Sequence, residues 1–370
     1  IYCCTITVEQ TESGSGDVQI PPPFIQTKSI YNHSTRSCVR RIMKKLLMSL
    51  MVGSLLVTGA VNAEEVKKVY VNKIVDHPAL DMTAKGIKDG LEKHGFVDGK
   101  NLDFRVESAQ ANVPLAGQIS TKFVSQGADV TVGLGTPSAQ SLVKPAMDGK
   151  TKMVFSSITD PVGANLVTKL EGSNNNVTGM SNYVDVEPQL EMFKRVIPNL
   201  KKLGFIYNPG DANSIKQYDD LKKAAKAMDL EVVRQVVNRT SDVPQAAAYL
   251  AARTDAIFIY GDNTALAALE SIVMAGNKGG VPVFVADTDA VEVGPLAALG
   301  PNQYDHGLET ADMIADILNG KDINTIPVGF PSKMELYLNL DAAKALNMEL
   351  PQALIDSAAV LINDGKQEVK

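Results

Sequence analysis

Cysteine is nearly missing from this 370-residue chain: the only three, Cys3, Cys4 and Cys38, lie before residue 63. Downstream of that point there is no disulfide, no thiolate nucleophile and no cysteine metal site. Tryptophan is absent, which removes the broad indole face that commonly stacks on sugar rings. Basic excess is lacking too, since 36 Lys and Arg face 42 Asp and Glu for a net charge of -6. A broad phosphate-binding surface, and nucleic acid as a partner, are therefore not expected. There is no Walker loop, and Gly133-Leu134-Gly135 lacks the third glycine of a dinucleotide fingerprint. His77, His94 and His306 do not have metal-ligand spacing, so the sequence implies no cofactor and no metal.

What is present is ordinary globular material, 45% apolar and 21% charged, in a length that suits two domains. The first 63 residues differ from the rest. Residues 1–42 hold no methionine and mix Pro21-Pro22-Pro23 with unpatterned polar residues, which reads as disordered or non-native upstream sequence. Met43-Lys44-Lys45 then leads an apolar run into Val61-Asn62-Ala63, the form of a cleaved signal peptide over 43–63. Its uncharged run of 18 residues is short for a membrane span and is diluted by small polar residues. No cysteine follows it to carry a lipid, so a periplasmic product without a lipid anchor is expected. Residues 1–63 carry six basic and three acidic side chains, leaving the remainder at -9.

The remainder reads as one unit written twice. Strand-like runs at 69–75, 129–134 and 152–156 alternate with helical patterns, and 203–207, 255–260 and 283–286 repeat them in order about 130 residues later. Lys67-Lys68 leads the first unit as Lys201-Lys202 leads the second. Thr136 before Pro137 has the form of an N-cap and first-turn proline. A helix after 207 is expected to bury Ile215, Tyr218, Leu221, Ala225 and Met228 on one face. Polar residues gather after the strands, where parallel sheets bind ligands. They are Asp76-His77-Pro78, Gly135-Thr136-Pro137-Ser138, Ser156-Ser157-Ile158-Thr159-Asp160, Asn208-Pro209-Gly210 with Asn213-Ser214, Asp262-Asn263-Thr264 and Asp287-Thr288-Asp289.

These segments, with Thr159-Asp160-Pro161-Val162-Gly163 and Asn176-Val177-Thr178-Gly179, resemble the substrate-binding proteins of ABC transporters, in the branch associated with tryptophan, tyrosine or phenylalanine. The resemblance covers essentially all of the chain after residue 63. It implies an α/β fold of two Rossmann-like lobes with parallel sheets joined by hinge crossovers, the periplasmic binding protein type I architecture, closing on a ligand by hinge motion. It also implies a monomer that captures an amino acid, performs no catalysis and docks on a membrane permease. Lobe one is expected at 66–180 plus 288–330 and lobe two at 181–287 plus 331–366.

An amino acid sets demands that these loops can meet. Thr136, Ser138, Ser157 and Thr159 are candidate donors to its carboxylate, with Pro137 in the same turn. Asp287 is the first candidate for its ammonium, with Asp262 and Asp160 in reserve. Asn208, Asn213, Ser214 and Asn263 complete the second-lobe candidates. Charge-assisted bonds of about 1.5 to 3 kcal/mol each largely offset desolvation. Burying an aromatic side chain adds about 4 to 6 kcal/mol towards the ~8 that micromolar binding requires. Tyr183, Tyr207, Tyr260, Phe155 and His77 are the candidates to hold that side chain. Two alternatives stand beside this reading: an aspartate-nucleophile phosphatase of haloacid-dehalogenase type at Asp287-Thr288-Asp289, and a binder of an aliphatic amino acid, sugar or nucleoside. A sensor related to sugar-responsive repressors would need a helix-turn-helix before the first lobe, and none precedes it.

Overall fold

Runs of β-branched and aliphatic residues too short for helices alternate with amphipathic segments, and the chain winds them into two sheets. The computed structural model describes residues 65–172 and 175–370. The expectations for 1–42 and for the signal peptide at 43–63 lie outside the described residues. The first sheet contains β1 (Lys67–Lys73), β2 (Leu102–Ser108), β3 (Val130–Leu134), β4 (Lys152–Ile158) and β5 (Val177–Ser181). Its spatial order is β2-β1-β3-β4-β5, parallel throughout. All five residues of β3 are buried, as expected where helices cover both faces of a parallel sheet. Those helices are α1 (Pro78–Lys93), α2 (Val113–Ser125) and α3 (Thr136–Met147).

The second sheet repeats the plan. It contains β6 (Lys202–Tyr207), β7 (Glu231–Val236), β8 (Ala256–Ile259), β9 (Val283–Val285) and β10 (Ala297–Gly300), in the order β7-β6-β8-β9-β10. These strands are again parallel, so the order seen in the first sheet recurs and the duplication read from the sequence is structural. Three further strands extend the sheet beyond β10: β11 (Glu335–Asn339), β12 (Val360–Asn363) and β13 (Lys366–Val369). The accompanying helices are α4 (Val186–Val196), α5 (Ala212–Ala227), α6 (Val243–Ala251), α7 (Asn263–Leu266), α8 (Leu269–Gly279), α9 (Gln303–Leu318), α10 (Leu340–Ala345) and α11 (Gln352–Ser357). Among the described residues no helix is long and apolar enough to cross a membrane.

The helix that follows each fifth strand changes lobe. Phe193 of α4 stacks on Phe284 of β9 at 4.2 Å, so α4 serves the second sheet. Helix α9 packs on α1 in the first lobe: a Cβ on Gly86 would lie 2.2 Å from the Tyr304 carbonyl oxygen, and one on Gly307 would lie 2.3 Å from that of Thr83. A third passage runs beside β5, where the Ser181 N–H donates to the Gly329 carbonyl at 2.9 Å. The expected assignment of 288–330 to lobe one requires a correction. β10 pairs with β9 and β11 in the second sheet, because it is the fifth strand of that repeat, and the chain returns to the first lobe only at α9.

Candidate functional site

Both sheets end their strands towards a common cleft. At the end of β1, His77 is extended and caps α1, its Nδ1 accepting from the Leu80 N–H at 3.5 Å. Its Nε2 lies 3.3 Å from Asn263 Oδ1, which belongs to the second lobe. Burial pushes the imidazole down to about 4, so it is neutral at physiological pH. At the end of β3, Gly135 adopts φ 86° and stands at the N-cap without a capping side chain. The expected N-cap role of Thr136 is thereby corrected, since a glycine turning through the left-handed region starts the helix one residue earlier. Thr136 and Pro137 are its first two residues, and the first-turn N–H groups of Thr136 and Ser138 have no capping side chain. Ser138 Oγ donates to Asn72 Oδ1 at 3.1 Å within the first lobe, so the backbone N–H is what Ser138 offers the cleft.

At the end of β4 the register slips. Ser157 sits at φ 57° there, an uncommon place for a side-chain-bearing residue. Its N–H donates to His306 Nε2 at 3.2 Å and its Oγ lies 3.3 Å from Thr83 Oγ1. Thr159 Oγ1 accepts from Gln217 Nε2 of the second lobe at 3.1 Å. Asp160 turns back on itself instead, with Oδ1 accepting from the Gly163 N–H at 2.8 Å. Tyr183 is half-buried, with Lys216 Nζ 5.0 Å above its ring. Its hydroxyl is pushed up to about 12, first by burial and then by Asp220 and Asp185.

In the second lobe Asp262 is fully buried and well bonded: one oxygen takes the Asn208 N–H and the Ser214 hydroxyl, both at 2.6 Å, and the other caps α7 through the Ala265 N–H at 2.8 Å. Asp262 is thus engaged by three donors of its own lobe as a helix cap, whereas Asp287 is far less so. Asn208 is likewise spent on its own turn, reaching Thr264 Oγ1 at 3.0 Å and accepting from the Gly210 N–H at 2.8 Å. Asn213 donates to the Gly261 carbonyl at 3.3 Å, while its buried Oδ1 lacks a partner. Asp287 differs from Asp262. It is only 5% exposed, makes no capping bond, and accepts one bond, from Gln303 Nε2 at 2.9 Å. Burial, and then the neighbouring charge of Asp289, push it up to about 7. A buried carboxylate with a single neutral donor lacks a cation.

Of the expected side-chain holders, Phe155, Tyr207 and Tyr260 are core residues. Phe155 is fully buried, Tyr207 stacks on Tyr218 at 4.9 Å, and the Tyr260 hydroxyl donates to the Val184 carbonyl. The cleft opens outward as a groove of about 780 Å³ whose lining includes Ile74, Pro137, Asn208, Asp211, Asn263 and Thr264. Burial, with the charge of Asp262, pushes Asp211 up to about 7. The sequence reading passes over Thr83, Asp211, Gln217, Gln303 and His306. A usable signal existed for two elements: Asn213, Ser214 and Gln217 on α5, and Gln303, His306 and Thr310 on α9, are polar residues on buried helix faces. Since Nε2 of His306 accepts from Ser157 and burial pushes the ring down to about 4, its neutral form carries the proton on Nδ1, buried without a partner.

Two duplicated parallel α/β lobes, three passages between them and a polar cleft at facing strand ends constitute the type I periplasmic-binding-protein architecture. The chain belongs to the family described as ABC transporter substrate binding protein, whose model matches residues 68–362. Proteins of this family act outside the cytoplasm, binding a small solute and working with a membrane permease. A relative from Clostridioides difficile (strain R20291), named tyrosine-binding protein, is 32% identical over 288 residues, 78% of this chain and 83% of its own. The crystal structure of an ABC domain in complex with L-Trp from Streptococcus pneumonia is 31% identical with a TM-score of 0.74, covering 80% of this chain and 99% of that one. The ligand-free, open structure of the substrate binding protein CD0873 from Clostridium difficile is 34% identical, yet its TM-score is 0.59, over 77% and 96% of the two chains. In the present chain two contacts join the lobes across the cleft, His77–Asn263 and Thr159–Gln217.

Proposed function

We propose that this protein captures a free aromatic amino acid, tyrosine or tryptophan, between its lobes and delivers it to a membrane permease without transforming it. The ligand carboxylate takes the uncapped N–H groups at the start of α3 and the hydroxyls of Thr136, Ser157 and Thr159. The ammonium pairs with Asp287. Tyr183 and the outer groove, with its apolar residues Ile74 and Pro137, receive the aromatic ring. The protein acts as a monomer in the periplasm, released from a signal peptide and free of a lipid anchor.

The observation that carries this reading is Asp287, a carboxylate buried at the end of β9 that accepts one hydrogen bond, from a neutral amide, and is paired with no cation among the described residues. The names of the relatives, one tyrosine-binding and one holding L-Trp, support the ring as the specificity element. The phosphatase reading of Asp287-Thr288-Asp289 finds less support. Gln303, not a lysine, is the hydrogen-bonding neighbour of both carboxylates, and β9 is an inner strand of a repeated lobe. A thermal-shift panel of the twenty amino acids, arabinose and a nucleoside, beside an assay of phosphate release from a generic ester with Mg²⁺, tests the proposal. A large shift with aromatic amino acids and no ester turnover is expected. A shift with the sugar or nucleoside alone, or turnover lost in Asp287→Asn, would refute it.

A further inference from the structure

Gln303 is the first residue of α9 and is 1% exposed. Every polar group it offers near the cleft is engaged. Its Nε2 donates to Asp287 Oδ1 at 2.9 Å, its Oε1 lies 3.3 Å from Thr83 Oγ1, and its backbone N–H donates to Asp289 Oδ2 at 2.6 Å. Asp287 sets the orientation of the amide, because turning it over sets a carbonyl oxygen against the ionised carboxylate; Thr83 Oγ1, with one proton, also reaches the Ala79 carbonyl at 3.0 Å. Gln303 therefore holds Asp287 by one oxygen, Oδ1, while no hydrogen bond is made to Oδ2 among the described residues.

The two partners meet where the chain crosses between the lobes. Helix α9 is locked to α1 by glycines at backbone contact, Gly86 against Tyr304 and Gly307 against Thr83, so Gln303 and Thr83 travel together with the first lobe. Asp287 and Asp289 follow β9 of the second sheet. Gln303 lies three residues beyond β10, which pairs with β9; its N–H is held by Asp289, and Thr288 Oγ1 donates to the Pro301 carbonyl at 3.1 Å, so the bond from Gln303 to Asp287 lies at the crossover itself.

We propose that Gln303 is the positioning residue for the ligand's ammonium: at the crossover its amide takes one oxygen of Asp287 and holds the carboxylate in place for the ammonium. This rests on the reading that Asp287 takes the ammonium. The residue acts through Asp287 and does not touch the ligand.

The test compares ligands that differ by the ammonium alone. Calorimetry is run with L-tyrosine and L-tryptophan and with their 3-arylpropionate analogues, on the wild type, Gln303→Ala, Gln303→Met and Asp287→Asn. The wild type is expected to prefer the amino acid, and Gln303→Ala to reduce that preference about tenfold, by the loss of one charge-assisted contact, while the analogue's affinity stays within about twofold. Gln303→Met keeps the volume, so it separates loss of the amide from loss of packing and serves if the alanine variant does not fold. Equal losses for amino acid and analogue in both Gln303 variants, or an undiminished preference, overturn the positioning role. An undiminished preference in Asp287→Asn overturns the ammonium assignment beneath it, and wild type that binds no aromatic amino acid overturns the function itself.

Discussion

Gln217 of the second lobe donates from Nε2 to Thr159 Oγ1 of the first at 3.1 Å, and the same Nε2 lies 2.7 Å from where a Cβ on Gly261 would stand. The cross-cleft bond therefore depends on a glycine at the end of β8, which the sequence shows only as the residue before Asp262. Gly261→Ala is expected to push Gln217 off Thr159 and weaken closure. One lost bond of about 0.5–1.5 kcal/mol corresponds to a roughly two- to tenfold drop in ligand affinity. Small-angle scattering of the ligand-bound variant reads the closure directly, and a fully closed variant of unchanged affinity would contradict it.

The pH dependence of stability has a sign that Asp287 sets. Its carboxyl is pushed up to about 7 in the fold from an ordinary 3.8, so between those values the folded chain holds a proton that the unfolded chain has released. Stability from this group therefore falls as pH rises through that window. His77 and His306, both pushed down to about 4, act in the opposite direction below their ordinary 6.5. Comparison with Asp287→Asn isolates the first effect. The variant's melting temperature is expected to exceed that of the wild type at about pH 7.5 and to converge on it towards about pH 4. Pairing with an ammonium requires the ionised form, so binding near neutral pH is also expected to release a proton, seen as calorimetric heats that vary with the buffer's ionisation enthalpy. Heats independent of buffer would contradict it.

Ser138 and Thr136 separate a structural hydroxyl from a site. Ser138→Ala removes the 3.1 Å bond to Asn72 in a buried network that also includes Ser120, and is expected to cost about 1 kcal/mol of stability while ligand affinity changes less than about twofold. Thr136→Ala is expected to lower affinity more than it lowers melting temperature, because Gly135 and not Thr136 holds the N-cap. The reverse pattern in a paired melt and titration would assign the roles the other way.

Gly86→Ala tests the lock between α1 and α9. The new methyl would meet the Tyr304 carbonyl at 2.2 Å and Gly307 Cα at 2.9 Å. Overpacking of this kind costs about 1–3 kcal/mol, and the displaced α9 carries Gln303 with it. Both melting temperature and amino-acid affinity are expected to fall, and an unaltered affinity would show that α9 tolerates the shift.

Legibility in the sequence follows the physics of each element. Buried inner strands such as 129–134 are continuous apolar runs and are readable, as is the duplication they mark. Edge strands β2 and β7 keep charged residues on an exposed face, so they escape a search for apolar runs. On α5 the expected apolar face is half right: Leu221 and Ala225 are buried, but Ile215 is 46% exposed while Asn213, Ser214 and Gln217 are buried. The first turns of that helix face the cleft, where polar side chains are the useful ones. The strand-end loops were legible as a cluster, yet Asp262 and Asp287 look alike in sequence. Only their hydrogen bonds, three onto the first and one onto the second, tell a helix cap from a carboxylate in need of a cation. The aromatic residues near strand ends were equally ambiguous, and packing sends Phe155, Tyr207 and Tyr260 inward.

The most direct test is calorimetric titration of the purified protein, stripped of any co-purified solute by unfolding and refolding, with L-tyrosine, L-tryptophan and L-phenylalanine. One site per chain with micromolar or tighter affinity for an aromatic amino acid, reduced at least tenfold in Asp287→Asn, is the predicted result. An absence of binding to all three, or binding that Asp287→Asn leaves unchanged, would contradict the account.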